Sequence, residues 1–221
     1  MKKFLALLLA LVMSLSLVAC GGGDDTAADG GADAEDGGNA ETAAYQVAMI
    51  TDYGDITDQS FNQTTYEACQ EFCDAEGLQF EYYKPAGDST AERVAMVDAA
   101  VADGYNVIVM PGYAFGGTIV EVAPQYPNVK FIALDVAKGD LLEAAVANAG
   151  ETYDYNPDNW NLADYVDLSN VYCAVYQEEL SGYMAGYAAV CLGYTKLGFL
   201  GGMAVPAVIR FGYGFVQGVD A

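Results

Sequence analysis

Short apolar runs alternate with helix-period stripes along most of this chain. Residues 47–50 (VAMI) form the first run, which stops at Thr51-Asp52. A run of that length closed by turn residues predicts a buried strand. After a polar loop, a helix is expected from Ser60, with Tyr66, Cys69, Phe72 and Cys73 on one stripe and Gly77 as its stop. Residues 80–84 predict a second strand. Ser89 and Glu92 have capping-box spacing and open a helix through Val94, Val97, Ala100 and Val101 to Gly104. A third strand is expected at 106–110 before Pro111-Gly112-Tyr113, a helix at 118–125, and a fourth strand at 129–134 before Asp135. Such regular alternation defines an α/β class with a parallel sheet, because parallel neighbours need helical crossovers.

In open α/β sheets, ligands sit beyond the carboxyl ends of the strands. Asp52, Gly112-Tyr113 and Asp135 are therefore expected along one rim. The loop after the first strand adds Asp55, Asp58, Phe61 and Asn62: acceptors, one flat apolar ring and one amide. That inventory suits a neutral, hydroxylated, partly aromatic ligand. A strand–turn–helix connection with a solvated acidic surface accounts for it as well. Asp135 is either a helix cap or a ligand contact, and no clear helix starts directly after it.

Residues 140–169 break the alternation. A helix-like piece at 141–147 leads into ETYDYNPDNWNLADYVDLS, which reads as a neutral surface insertion, a lid or a partner-binding surface. A strand at 171–176 and a helix at 179–192 follow, the helix rich in small residues that suit the junction of two lobes. A strand at 196–200 and a helix at 208–219 bearing Phe211 and Phe215 then repeat the opening order. One strand and one helix cannot bury a core of their own. The expected organisation is a first lobe at 44–176, then a junction helix and the start of a truncated second lobe at 177–221.

The N-terminus has a different character. Lys2 and Lys3, an apolar run and Leu17-Val18-Ala19-Cys20 describe a secretory signal over 1–20, with Cys20-Gly21 matching the bacterial lipobox. No second apolar span is long enough to cross a bilayer. Residues 21–43 hold only Gly, Ala, Asp, Glu, Thr and Asn, so they predict a disordered acidic tether. The formal charge of −23 contains no basic footprint, which excludes nucleic acid as a partner. No phosphate-cradling G-x-x-x-x-G-K-[ST] is present, although Arg210 lies beside Phe211. With no histidine and no C-x-x-C, no metal site is expected, and Cys69, Cys73, Cys173 and Cys191 read as buried free thiols.

The stretch D-x-G-x-x-x-D-x-S-F-N-Q from Asp52 to Gln63 resembles the basic membrane protein family of bacterial lipoproteins. VYCAVYQEELSGYMAGYAA and KLGFLGGMAVPAVIRFGYGFVQGVDA, later in the chain, resemble it too. The resemblance implies a type I periplasmic-binding-protein-like fold of two lobes, parallel sheets flanked by helices. It further implies a non-enzymatic substrate-binding component of an ABC importer, held by lipid on the outer face of the cell membrane and docking on permease subunits. The implied ligand is a purine nucleoside, bound without cofactor, with Asp52, Phe61, Asn62, Asp135 and Phe211 in the pocket. Residues 140–170 depart from the family pattern. An alternative keeps the fold and binds a sugar or signal molecule as a sensor. A metal-dependent nucleoside hydrolase is remote, since D-x-x-D-x-x-D lacks that family's adjacent aspartates and no histidine is available as a general acid.

A lipoprotein carries at least two acyl chains, enough for stable attachment where one is marginal. Cys20→Ser is therefore expected to abolish lipidation and release the protein from membranes. Detergent-phase partitioning of the mutant equal to that of the wild type would sink the anchor.

Overall fold

The computed structural model describes residues 45–221, so the signal, the lipidation site Cys20 and the tether lie outside the described residues. Five parallel strands form one sheet: β1 (Gln46–Ile50), β2 (Gln79–Tyr83), β3 (Val107–Pro111), β4 (Lys130–Leu134) and β5 (Val171–Ala174). Their spatial order is β2-β1-β3-β4-β5, which puts the topological switch between β1 and β3. The most continuously apolar segments, β1 and β3, take the central places and are buried over four of their five residues. The edge strand β2 alternates exposed and half-buried positions.

The described residues hold six α-helices: α1 (Phe61–Glu76), α2 (Thr90–Ala102), α3 (Gly116–Val122), α4 (Lys138–Asn148), α5 (Glu178–Cys191) and α6 (Pro206–Asp220). On one face α2, α3 and α4 bury Val97, Ile119 and Leu141 against Ala48, Ile50, Ile108, Met110 and Phe131. On the other face α1 sets Cys73 against Val47 and Val109, while Val107, Ile132 and Leu134 stay half-buried. No described helix is long and apolar enough to cross a membrane.

Local chemistry explains the helix ends. Gly77 closes α1 in the left-handed region at φ 67°, where glycine has no Cβ to strain. Ser89 Oγ accepts from the Glu92 amide at 3.2 Å, the cap that the spacing predicts, and donates to Glu92 Oε2 at 2.7 Å in place of the reciprocal bond from the Ser89 amide. Ser60, at the start of α1, makes no side-chain cap. Asp58 takes that role, accepting from the amides of Ser60 (2.8 Å), Gln63 (3.1 Å) and Asn62 (3.3 Å).

Three expectations need correction. A helix does begin soon after Asp135: α4 starts at Lys138, and the Asp140 carboxylate accepts from the Ala137 amide at 2.8 Å. Residues 196–200 form no strand, because an extended segment needs a neighbour and no other strand lies beside it among the described residues. Of the four cysteines among the described residues, all free, only Cys73 is buried, and Cys191 is exposed.

The segment at 140–169 packs onto the sheet's helical layer. Tyr153 is buried against Leu142 and Val146 of α4, with Trp160 and Tyr165 beside it. Asn170 closes the segment, its amide donating to the carbonyls of Ala123, Tyr126 and Val129 at 3.0–3.1 Å.

Helices α5 and α6 run parallel in very close contact through two glycine pairs. Gly182 and Gly186 face the backbone of Phe211 and Phe215, and Gly214 and Gly218 face the backbone of Glu179 and Tyr183. A Cβ at any of the four would meet backbone, which cannot move aside as a side chain can. Helix propensity alone would make Gly214→Ala stabilising by about 1 kcal/mol. The steric reading predicts the opposite sign, a loss of about 1–3 kcal/mol from forced separation. Urea denaturation decides between them; a raised midpoint would refute the close packing.

Candidate ligand-binding site

The loop between β1 and α1 is knotted by three side chains. Asp52 Oδ1 accepts from the amides of Tyr53 (2.6 Å) and Gly54 (2.7 Å) and from Asn62 Nδ2 (3.0 Å). The same Asn62 nitrogen donates to Asp58 Oδ2 at 2.9 Å, and Asn62 Oδ1 accepts from the Asp52 amide at 3.4 Å. Asn62 is 5% exposed. Gly54 is required here, since a Cβ would stand 2.5 Å from Asn62 Nδ2. Burial raises the Asp58 carboxyl, but hydrogen bonds from Asn62, Gln63 and Ser60 outweigh it and leave the group below its ordinary value. Asp55 accepts from Thr57 and from Lys84 Nζ at 3.1 Å.

Arg93 supports this loop from below. Its guanidinium is buried, with Nη1 donating to the Asp52 carbonyl at 3.3 Å and to Asp88 at 2.7 Å. It also lies 5.8 Å from the centre of the Phe115 ring. The result is a fixed position for Phe61, the first residue of α1.

Phe61 lines a cavity of about 370 Å³ together with Asp135, Tyr176, Glu178, Ser181 and Phe211. Three of the five residues singled out from the sequence thus meet: Phe61, Asp135 and Phe211. The other two, Asp52 and Asn62, do not line it; Asp52 Oδ1 and the Asn62 amide are occupied in the loop. Tyr176, absent from the sequence reading, packs edge-on to Phe61 with ring centres 6.0 Å apart. Its position just past β5, on the same rim, was the available signal.

Asp135 sits directly after β4 in the left-handed region, φ 58°. Asp and Asn tolerate that conformation better than other side chains, yet it remains uncommon. Asp140 already serves the start of α4, so capping does not explain Asp135. Its carboxyl is raised above its ordinary value, first by burial and then by Glu178, with Arg210 pulling the other way. Arg210 Nε donates to Glu178 Oε2 at 2.6 Å, while its Nη2 is 3.8 Å from Asp135 Oδ1. Burial raises Glu178 too, but its bond to Arg210 wins and holds it below its ordinary value.

The arrangement offers aromatic faces for a flat ring and one incompletely paired carboxylate for a hydrogen-bond donor. A parallel sheet carrying such a cavity at its carboxyl rim is the architecture of an α/β protein that binds small ligands at its strand ends. Residues 45–221 match the model of the Bmp family, described as ABC transporter substrate-binding protein PnrA-like, and the chain belongs to that family. It is 28% identical to the CD4+ T-cell-stimulating antigen of Listeria innocua, over all of this chain and 54% of that protein. It is 25% identical to the ABC transporter nucleoside-binding protein BmpA of Lactococcus lactis subsp. cremoris, over 80% of this chain and 43% of the relative. The chain spans about half the length of the curated relatives it matches. A solved solute-binding protein from Aeropyrum pernix K1 superimposes with a TM-score of 0.56 at 23% identity, over 80% of this chain and 43% of that one; it supports the fold alone.

The state of Asp135 generates a pH prediction. A carboxyl raised in the folded state contributes fully below its unfolded value and loses that contribution as pH rises through the folded one. At neutral pH the charge on Asp135 therefore opposes folding. Asp135→Asn, which keeps the shape and tolerates positive φ, should raise the melting temperature at pH 7, with the gain vanishing near pH 3. A lowered melting temperature at pH 7 would show that the Arg210 attraction dominates instead.

Proposed function

We propose that the full-length protein is a lipid-anchored solute receptor that delivers a purine nucleoside to an ABC permease. The observation that carries this reading is the meeting of Phe61, Phe211 and Asp135 in one rim cavity. A base stacks on the rings, and Asp135 accepts from a hydroxyl or ring N–H of the ligand. None of the cavity's lining residues is basic, and Arg210 is already engaged with Glu178. A phosphate in this cavity would meet the carboxylates of Asp135 and Glu178 with no basic residue in the lining, which favours nucleosides over nucleotides. The relative named as a nucleoside-binding protein supports the same ligand class. Asp52 and Asn62 act on this reading by fixing the loop that presents Phe61. The anchor is Cys20, on the membrane's outer face, and no bond of the solute is made or broken.

Loss of a stacked ring costs about 1–3 kcal/mol by analogy with base–aromatic stacking, and loss of a charged acceptor a similar amount. Phe61→Ala and Asp135→Ala should each weaken guanosine or inosine binding about tenfold or more, with unchanged far-ultraviolet circular dichroism. Asp55→Ala, whose carboxylate holds Thr57 and Lys84, should do less. Titration calorimetry on the full-length protein tests this; a neutral Phe61→Ala, or a preference for nucleotides, would overturn the pocket.

A further inference from the structure

Two cavities meet at one pair of rings. Phe61 and Tyr176 line the ligand cavity, and both also line an apolar groove of about 330 Å³ on the α1 face of the sheet. Val47, Val109, Ile132 and Leu134 of the sheet and Cys69 of α1 complete that groove. The two rings are therefore the partition between a polar rim site and an apolar slot beneath it.

The loop knot fixes the backbone around Phe61 but not its ring. Asp58 accepts from the amides of Ser60, Asn62 and Gln63 on either side of it, and none of these bonds reaches the phenyl group. Phe61 is also the first residue of α1, so no preceding helical turn restricts its rotamer. A half-buried phenyl ring beside an apolar groove gains by sinking into it, because more of its surface then leaves water. A ring that is to stack on a ligand must be held at the rim.

Tyr176 can hold it, because Tyr176 stands on a rigid support. The two ring centres are 6.0 Å apart at 77°, an edge-to-face contact that leaves at least one face of Phe61 free. The chain is pinned within two residues on both sides of Tyr176. The Asp135 amide donates to the Ala174 carbonyl at 2.7 Å, and Glu178 is bonded to Arg210 at 2.6 Å. Tyr176 itself is 47% exposed, so its contact with Phe61 does not arise from core packing.

Resting on the nucleoside reading above, we propose that Tyr176 is a positioning residue for Phe61. Its ring keeps the Phe61 ring out of the groove and upright at the ligand cavity, in the orientation that stacks on a base. It acts through Phe61, and its hydroxyl is not required. Titration calorimetry of the full-length protein with guanosine and inosine tests this. Tyr176→Leu, which removes the aromatic edge, should weaken both ligands about fivefold, in keeping with the strength of aromatic pairs. Tyr176→Phe, which keeps the ring, should recover wild-type affinity to within about twofold. In a Phe61→Ala background there is no ring to hold, and Tyr176→Leu should cost less than about twofold more. Melting temperatures should not change, since the side chain is half exposed. Wild-type affinity in Tyr176→Leu, an equal loss in Tyr176→Phe, or losses that multiply in the double variant would each overturn the role and leave the nucleoside reading intact. A binding loss that tracks a lowered melting temperature would do the same. Failure of the wild-type protein to bind either nucleoside would overturn the nucleoside reading, and the role with it.

Discussion

The amide of Asn62 is the interaction on which the rim depends. One buried side chain accepts from the Asp52 amide and donates to two carboxylates, Asp52 at the end of β1 and Asp58 ahead of α1. Asp52 turns the chain by holding the amides of Tyr53 and Gly54, and Asp58 holds the first free amides of α1. Two carboxylates this close would repel without a donor between them. Asn62 supplies it from a neutral group, so no buried charge is added. Arg93 then ties the knot to α2 by way of the Asp52 carbonyl. Strand, loop and helix are fixed as one piece, and Phe61 follows from it.

Much of this fold is legible in the residues because local and global preferences agree. VAMI at β1 and VIVM at β3 are too short for helices and too apolar for surface, and they occupy the sheet centre. Ser89 and Glu92 mark their helix to the residue, and Gly77 ends α1 as its conformational freedom predicts. The failures have a common cause, which is that partners distant in sequence decide the outcome. Residues 196–200 have strand-like composition but, among the described residues, no strand to pair with. Asp135 sits before a helix start that KGD, with a glycine in its first turn, hides from pattern reading.

The site shows the same division. Asp135 was visible because strand ends in a parallel sheet share a rim, whereas Phe61 and Phe211 were singled out by the family resemblance. Asn62 fits the chemistry of a base-reading amide equally well, but residue type cannot say which way an amide points. Burial at 5% and three internal hydrogen bonds turn it into the loop. Tyr176 and Glu178 were hidden for the complementary reason. Each acquires its role only when β5 comes to lie beside β4 and α6 brings Arg210 against α5.

Arg210 resolves a competition, and its outcome isolates Asp135. Glu178 is bonded at 2.6 Å and falls below its ordinary carboxyl value, whereas Asp135 is left at 3.8 Å and rises above its own. Asp135 also holds a left-handed backbone angle, and it caps no helix. Strain, desolvation and an incompletely paired charge at one residue all oppose folding, and the Arg210 attraction at 3.8 Å offsets them only in part. Residues kept under such conditions cluster where a protein binds something. A ligand hydroxyl or N–H hydrogen-bonded to that carboxylate would relieve the unpaired charge, so binding at Asp135 draws on a cost already present in the folded chain.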